Sequence, residues 1–426
     1  MRPLAWALLI ATWLPACGGA ARGQDLSSYY PQGVPGYDSP GRAVLSRPRP
    51  LYDPIGVRAG TFVLRPHLDF GFGYDSNLFG SSPGRGSWLV GSHGSLLANS
   101  DWSRDSIGAF VSIDDLRSLN VPSQSRTDWT GSLGGTLDIG RDRLTLAAAH
   151  LSLHQDRTAV DALPTDQPVA YEVNDFRLNY SHTFNRLSLI PSLELTSYRF
   201  ASTTIMGVST PQADRDRDVL QGGMAASYEL APQRNLVVVL RGLGSLYTAP
   251  APGAPTRNSS GLIALTGIDY SGSDWGLRLL FGWEQRQFAA PQYQAHGAPV
   301  AEADASWSPT GMTTLTATLA RTIEDAAQEG VAGYTYTTAH LTIDHEYLRN
   351  VLLRGFAGVQ RADFLQGGGT QTSYTLGAGV TWLLNRRMRV SGTEVFTDLR
   401  SSHGQSASVG GSYVRSITLL TLGFGL

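Results

Sequence analysis

The sequence predicts an all-β chain: a transmembrane, antiparallel, up-and-down β-barrel of about eighteen strands, with sixteen as the alternative count. Three observations predict it. The last residues, Ile417-Thr-Leu-Leu-Thr-Leu-Gly-Phe-Gly-Leu426, put Leu420, Leu422, Phe424 and Leu426 on one strand face and Thr421, Gly423 and Gly425 on the other. A strand that closes a barrel and shows apolar residues to lipid has this form. From residue 60 onward, stretches of 11 to 15 residues alternate apolar and polar side chains, the period of a strand. The connections between them alternate short and long, as in barrels with tight turns at one end and long loops at the other.

Composition agrees. The chain has 426 residues, 48 of them Gly, with 16% charged residues. A barrel with a wet lumen is apolar only outside, so its average is polar. Beyond the N-terminus no run approaches the ~20 apolar residues of a membrane helix. The net charge of -2 gives no basic face, so no nucleic-acid partner is expected. All 33 Lys+Arg residues are Arg. Without Lys, Schiff-base chemistry and the phosphate-binding P-loop are excluded.

The N-terminus reads as a secretory leader over residues 1–23: Arg2, an apolar core from Leu4 to Leu14, then small residues at Gly18 to Ala21, with cleavage near Ala21 or Gly23. Leu14-Pro-Ala-Cys17 loosely resembles a lipoprotein site, which Pro15 fits poorly. Cys17 is the one cysteine, so removal of the leader leaves a chain without thiols on an oxidising route. Residues 24–59 carry Pro31, Pro35, Pro40, Pro48, Pro50 and Pro54 with several Gly. They predict an extended arm, neither strand nor helix, lying in the periplasm or folded into the pore.

Residues 60–426 form the predicted barrel. Phe62, Leu64, Pro66, Leu68, Phe70, Phe72 and Tyr74 share one face, opposite Arg65, His67, Asp69, Gly71 and Gly73. Trp129, Gly131, Leu133, Gly135, Leu137 and Ile139 oppose Asp128, Thr130, Ser132, Gly134, Thr136 and Asp138. Phe176, Leu178 and Tyr180 oppose Asp175, Arg177, Asn179 and Ser181. Trp275, Leu277, Leu279, Phe281 and Trp283 oppose Arg278, Gly282, Glu284 and Arg286. Tyr374, Leu376, Ala378, Val380, Trp382 and Leu384 oppose Thr375, Gly377, Gly379 and Thr381. Gly, Ser and Thr on the polar face suit a crowded lumen, and aromatics near strand ends suit a girdle. Short turns near 100–104, 140–142, 185–186, 231–234, 272–274, 309–311, 349–350 and 385–387 alternate with links near 75–86, 118–126, 157–170, 201–216, 249–257, 289–298, 326–333, 363–371 and 400–412. These seventeen connections give eighteen strands with both ends on the short-turn side. Alternation is weakest over 289–311 and 400–416.

Several segments resemble the outer-membrane β-barrel porins of the second type found in alphaproteobacteria and relatives. They are Arg47-Pro-Arg-Pro-Leu-Tyr-Asp-Pro-Ile-Gly-Val-Arg58, Phe70-Gly-Phe-Gly-Tyr-Asp-Ser-Asn-Leu-Phe79, Ser100-Asp-Trp-Ser-Arg104, Phe184-Asn-Arg186, Asp214-Arg-Asp-Arg-Asp-Val219 and Tyr413-Val-Arg-Ser-Ile-Thr-Leu-Leu-Thr-Leu422. These motifs mark turns and strand starts and carry no chemistry. The resemblance, from residue 47 to the end, implies an outer-membrane barrel, in some members associated with exopolysaccharide export, and brings no catalytic residues.

Candidate sites are few. Gly80-Ser-Ser-Pro-Gly84 matches the G-x-S-x-G elbow in letters, but it lies in a predicted loop rather than at a strand-to-helix bend. Asp214, Asp216 and Asp218 share a strand face, as calcium ligands could, but the interleaved Arg215 and Arg217 predict self-neutralising ion pairs. His340 and His345 fall on opposite faces and cannot share a metal within one strand. No metal site and no cofactor are expected. Arg65, Asp69, Arg278, Glu284, Arg286 and Arg354 all fall on polar faces. They are either lumen charges that set selectivity or pairs that compensate buried charge.

The leading functional reading is a passive porin-like channel for small or sugar-like solutes, since eighteen strands leave an aqueous lumen. The alternative is an accessory barrel of an exopolysaccharide export or surface-assembly system, with the arm docking periplasmic export components. A rim enzyme such as a surface protease or lipase lacks a recognisable polar constellation. The expected surroundings are the outer membrane of a Gram-negative cell, its lipid and lipopolysaccharide, with insertion by the barrel-assembly machinery. The oligomeric state is not legible.

Overall fold

The computed structural model describes residues 29–30, 33–37, 47–251, 253–328, 330–403 and 411–426. The predicted leader and Cys17 lie outside these residues. Eighteen long strands make one closed antiparallel barrel. In chain order they are β1 (Phe62–Asp75), β2 (Ser87–Ser100), β3 (Ser106–Ser118), β4 (Arg126–Ile139), β5 (Asp142–Gln155), β6 (Val169–Thr183), β7 (Leu187–Phe200), β8 (Arg217–Ala231) and β9 (Arg234–Tyr247). The second half comprises β10 (Ser259–Ser271), β11 (Trp275–Phe288), β12 (His296–Thr310), β13 (Thr313–Glu324), β14 (Tyr334–Leu348), β15 (Val351–Phe364), β16 (Gly369–Leu383), β17 (Met388–His403) and β18 (Tyr413–Gly425). Each strand pairs with its sequence neighbours, and β18 pairs with β1 through Leu68↔Phe424, Phe70↔Leu422 and Phe72↔Leu420. Closure removes every edge, which a sheet in lipid requires.

The alternation decides which face looks where. Along β1, Leu68, Phe70, Phe72 and Tyr74 are exposed while Asp69, Gly71, Gly73 and Asp75 are buried. Exposed apolar side chains belong to the lipid, and buried ones face the lumen. Along β11 the same rule exposes Trp275, Phe281 and Trp283 and buries Leu280, Glu284 and Arg286. Aromatic pairs mark both membrane boundaries. Trp275 stacks on Trp307 of β12 with centroids 4.9 Å apart at the short-turn end. Phe72 stacks on Trp88 of β2 at 5.2 Å nearer the long-loop end. Trp275 and Trp283 lie roughly 26 Å apart along the strand at ~3.3 Å per residue, which a tilt of about 40° reduces to roughly 20 Å across the membrane. Beyond the upper belt the outer face turns charged, with the pairs Arg117–Asp115, Arg199–Asp218, Arg361–Asp363 and Arg400–Asp398. No helix among the described residues is long and apolar enough to cross a membrane.

Three expectations need correction. The link placed near 363–371 shrinks to 365–368, because β15 runs to Phe364 and β16 starts at Gly369. The Gly run there hides the side-chain alternation, while the backbone still pairs Asp363↔Thr370. The arm is not free of strand: Val57–Ala59 folds back on Phe62–Leu64 through Gly60, whose φ of 62° suits glycine. The Asp214–Asp218 run does not begin as a strand. Ala213–Arg215 is a 3-10 turn, which breaks the alternation on which the shared carboxylate face relied.

The lipid-facing assignment predicts a graded cost. Leu279 lies midway between Trp275 and Trp283, so Leu279→Arg should destabilise the barrel by about 2–4 kcal/mol, and Gln287→Arg, above the belt, by less than about 1 kcal/mol. Urea unfolding in lipid vesicles measures both, and equal costs would contradict the assignment.

Candidate functional site

The six predicted lumen charges do not form one site. Asp69 is fully buried and takes Arg389 at 3.1 Å and His67 at 3.0 Å. Arg354 forks onto Asp344 at 2.7 and 3.1 Å. Arg278 lies 3.6 Å from Asp269. Only Glu284 and Arg286 come together, 3.6 Å apart, with Arg286 also 3.1 Å from Asp325. Arg65 makes no ion pair among the described residues and stands half-buried near Gly56. Each buried ion costs several kcal/mol to desolvate, so the pairing compensates charge along the wall. His340 and His345 sit opposite different partners, Thr318 and Thr313. Among the described residues no three His, Cys, Asp or Glu gather to hold a metal. Ser82 lies in the link from β1 to β2, not at a strand-to-helix bend.

At the long-loop end several links fold into the lumen. Residues 156–168, between β5 and β6, reach to the wall formed by β14–β18. Tyr413 donates its hydroxyl to the Thr158 carbonyl at 2.7 Å, and Arg415 reaches the Thr158 hydroxyl at 2.8 Å. Asp161 N–H donates to Gln371 at 2.9 Å, and its carboxylate accepts the Ala327 N–H at 2.5 Å. Val160 is fully buried among Tyr334, Tyr336, Phe364, Leu399 and Tyr413. The Arg residues of the Asp214–Asp218 run turn inward rather than pairing within it. Arg217 meets Asp325 at 3.1 Å and lies 4.2 Å over the Tyr198 ring, and Arg215 lies 4.1 Å over Phe200. Burial pushes the Arg215 guanidinium down to about 10 and would raise Asp325, but Arg286 and Arg217 hold that carboxyl below its usual range.

The rest of the lumen holds the N-terminal arm. Residues 47–56 lie at the short-turn end. Arg49 is buried and pairs with Glu346 of β14 at 3.0 Å. Tyr52 packs on Leu352 and Leu383, and Arg386 donates to the Pro50 carbonyl at 2.8 Å. Residues 29–30 and 33–37 lie against the wall of β2–β8. Val34, fully buried, and Tyr37 join Ala147, Ala149, Leu151, Val173 and Tyr198 in one apolar cluster, with Tyr29 and Tyr30 beside them. Two glycines make this approach possible. A Cβ on Gly134 of β4 would stand 2.0 Å from the Pro35 carbonyl oxygen. Gly36, at φ 91°, passes so close to β5 that its Cβ would lie 2.5 Å from that of Ala147.

Residues 49–421 match the family described as "Putative beta-barrel porin 2". The chain belongs to that porin family. No curated protein matches the porin's sequence. Among solved structures it is similar to the FrpB iron transporter of Neisseria meningitidis (F5-1 variant), at 9% identity and a TM-score of 0.43, covering 87% of the porin and 83% of FrpB. It is also similar to the ferric citrate transporter FecA in its unliganded form, at 10% identity and a TM-score of 0.46, covering 86% and 64%. OpdK of Pseudomonas aeruginosa is similar at 12% identity and a TM-score of 0.41, covering 85% and 98%.

Sequence reasoning missed the residues that fill this porin. The arm carries a signal that could have found them: Tyr29, Tyr30 and Tyr37 are aromatic residues in a Pro/Gly-rich stretch, where a solvated linker would hold few. Asp161, Val160 and Thr158 had no such mark, because a buried loop and an exposed one share the same residue types.

Docking of the 156–168 loop should depend on pH. Burial pushes the Asp161 carboxyl up to about 7 from its ordinary 3.8, although the Ala327 N–H lowers it. A raised acid binds its proton more tightly docked than free, so docking is strongest at acidic pH, weakens as pH rises toward about 7 and is level above. Proteolytic cleavage within the loop should quicken between about pH 5 and about pH 7, relative to an unstructured peptide of the same sequence. Asp161→Asn should flatten that profile; an unchanged profile in the variant would remove Asp161 as its cause.

Proposed function

We propose that this barrel is a passive, porin-like channel for small solutes whose lumen is closed at rest by the chain's own N-terminal segment. The observation that carries the reading is the Val34–Tyr37 contact. A segment outside the barrel strands has a buried apolar residue, a stacked tyrosine and a glycine-lined approach on the inner wall. Eighteen strands are enough to leave a water-filled channel, so the arm and the inward loops account for its filling. A solute path then requires the arm to leave. Its hold is divided between few residues, so displacement is a local opening rather than unfolding. The paired charges of the wall would remain and line the opened path, with Arg65 contributing a positive charge near its short-turn end.

Single-channel recording in a planar bilayer tests this without shortening the chain. Gly134→Leu places a side chain where the Pro35 carbonyl now sits and leaves the strand otherwise intact. The parent barrel should rest closed, and the variant should conduct steadily. Equal conductance in both would sink the plug, and silence in both, with folding verified by heat-modifiable mobility, would sink the channel.

A further inference from the structure

The wall under Tyr37 has the construction of a ligand site. The Asp175 carboxylate on β6 has a fully buried side chain. It accepts the Tyr37 hydroxyl at 2.9 Å, Arg177 Nε at 2.9 Å and the Thr196 hydroxyl of β7 at 3.0 Å. The Arg177 guanidinium lies 4.4 Å from the Tyr30 ring centroid and 4.8 Å from that of Tyr37, within cation–π range. It is itself held by Glu194 of β7 at 3.1 Å. Tyr30 and Tyr37 stack with centroids 4.7 Å apart and planes 17° from parallel. Ala147 and Ala149 of β5 lie in the same buried apolar cluster as Tyr37. The charged and hydrogen-bonding groups that meet the rings, Asp175 and Arg177, come from the barrel wall, while the rings come from the arm.

Each wall group reads a different property of a phenol. The carboxylate accepts the phenol O–H, a donor that a phenyl ring lacks. The guanidinium needs a π face. Burial and Asp175 raise the Tyr37 hydroxyl above its ordinary range, so the ring at this place is a neutral donor. We propose that this is a solute site for neutral phenolic rings, which Tyr37 occupies as a tethered ligand in the closed barrel and a phenolic solute takes by displacing it. The inference rests on the reading of the arm as a plug and adds the solute class. A tethered competitor acts at high effective concentration, so the intact chain should bind free phenols far more weakly than a chain whose own rings are gone.

The test is equilibrium dialysis of the folded full-length protein in detergent, with N-acetyl-tyrosinamide as probe and N-acetyl-phenylalaninamide as the same molecule without its hydroxyl. Tyr30→Ala/Tyr37→Ala should bind the tyrosine probe at least about tenfold more tightly than the parent, because the competent state is no longer masked. It should prefer the tyrosine probe over the phenylalanine probe, and Asp175→Asn added to it, which exchanges the charged acceptor for a weaker neutral one, should reduce the preference. Equal binding of both probes by the double variant, or equal binding of the tyrosine probe by parent and double variant, would overturn the site. The probe comparison needs no wall substitution, so it stands even where Asp175→Asn does not fold. Dialysis does not depend on conductance. A silent double variant that still prefers the phenol would sink the channel reading and keep the site. A conducting one without preference would do the reverse.

Discussion

The hydrogen-bonded seam between β18 and β1 is the contact on which the rest depends. In lipid an unpaired N–H or C=O costs several kcal/mol, so a sheet that failed to close would not persist there. Leu68, Phe70 and Phe72 facing Phe424, Leu422 and Leu420 set the register of that seam and cover it with apolar surface at once. Closure then divides every strand into a lipid face and a lumen face. Outside, the side chains must be apolar between two aromatic belts. Inside, they are free to be polar, provided each charge finds a partner or water.

That freedom explains the lumen. Asp69 with Arg389, Asp75 with Arg415 and Asp344 with Arg354 are wall pairs that hold charge in the interior. Replacing one member would leave the other buried and uncompensated, a loss of about 3–5 kcal/mol. The pairs sit along the strands and do not fill the middle of the barrel. Inward loops and the N-terminal arm do, using Val160 and Val34, both fully buried. The wall meets the arm with Gly134 where its backbone passes and with Arg177 where its rings lie. The filling is therefore specific, and a specific contact can be exchanged for another.

The strands were legible because a period of two is written locally, in residues such as Trp275 through Trp283. Even the strand count follows from turn residues such as Gly140 and Asn385. The lumen was legible only in part. Composition and alternation place Asp69, Glu284 and Arg354 inside, but not their partners Arg389, Ile323 and Asp344, which the barrel brings together from other strands. The run from Asp214 to Asp218 misled because one 3-10 turn cancels a strand's alternation and sends Arg215 and Arg217 into the interior. The arm's aromatic residues mark it as buried but not where: Tyr37 meets Asp175 across 138 residues of sequence, and nothing near Tyr37 encodes that partner.

The central claim is that residues 33–37 lie inside the barrel, against its wall. Val34, 0% exposed, offers the most direct measurement. Val34→Cys in a Cys17→Ser chain gives a single small thiol at that place. Its labelling rate with a charged maleimide should be slower in the folded barrel than in the urea-unfolded chain by orders of magnitude, as for any group reached only by local opening. Labelling at the unfolded rate, with the barrel intact, would put the arm outside the lumen and contradict the account.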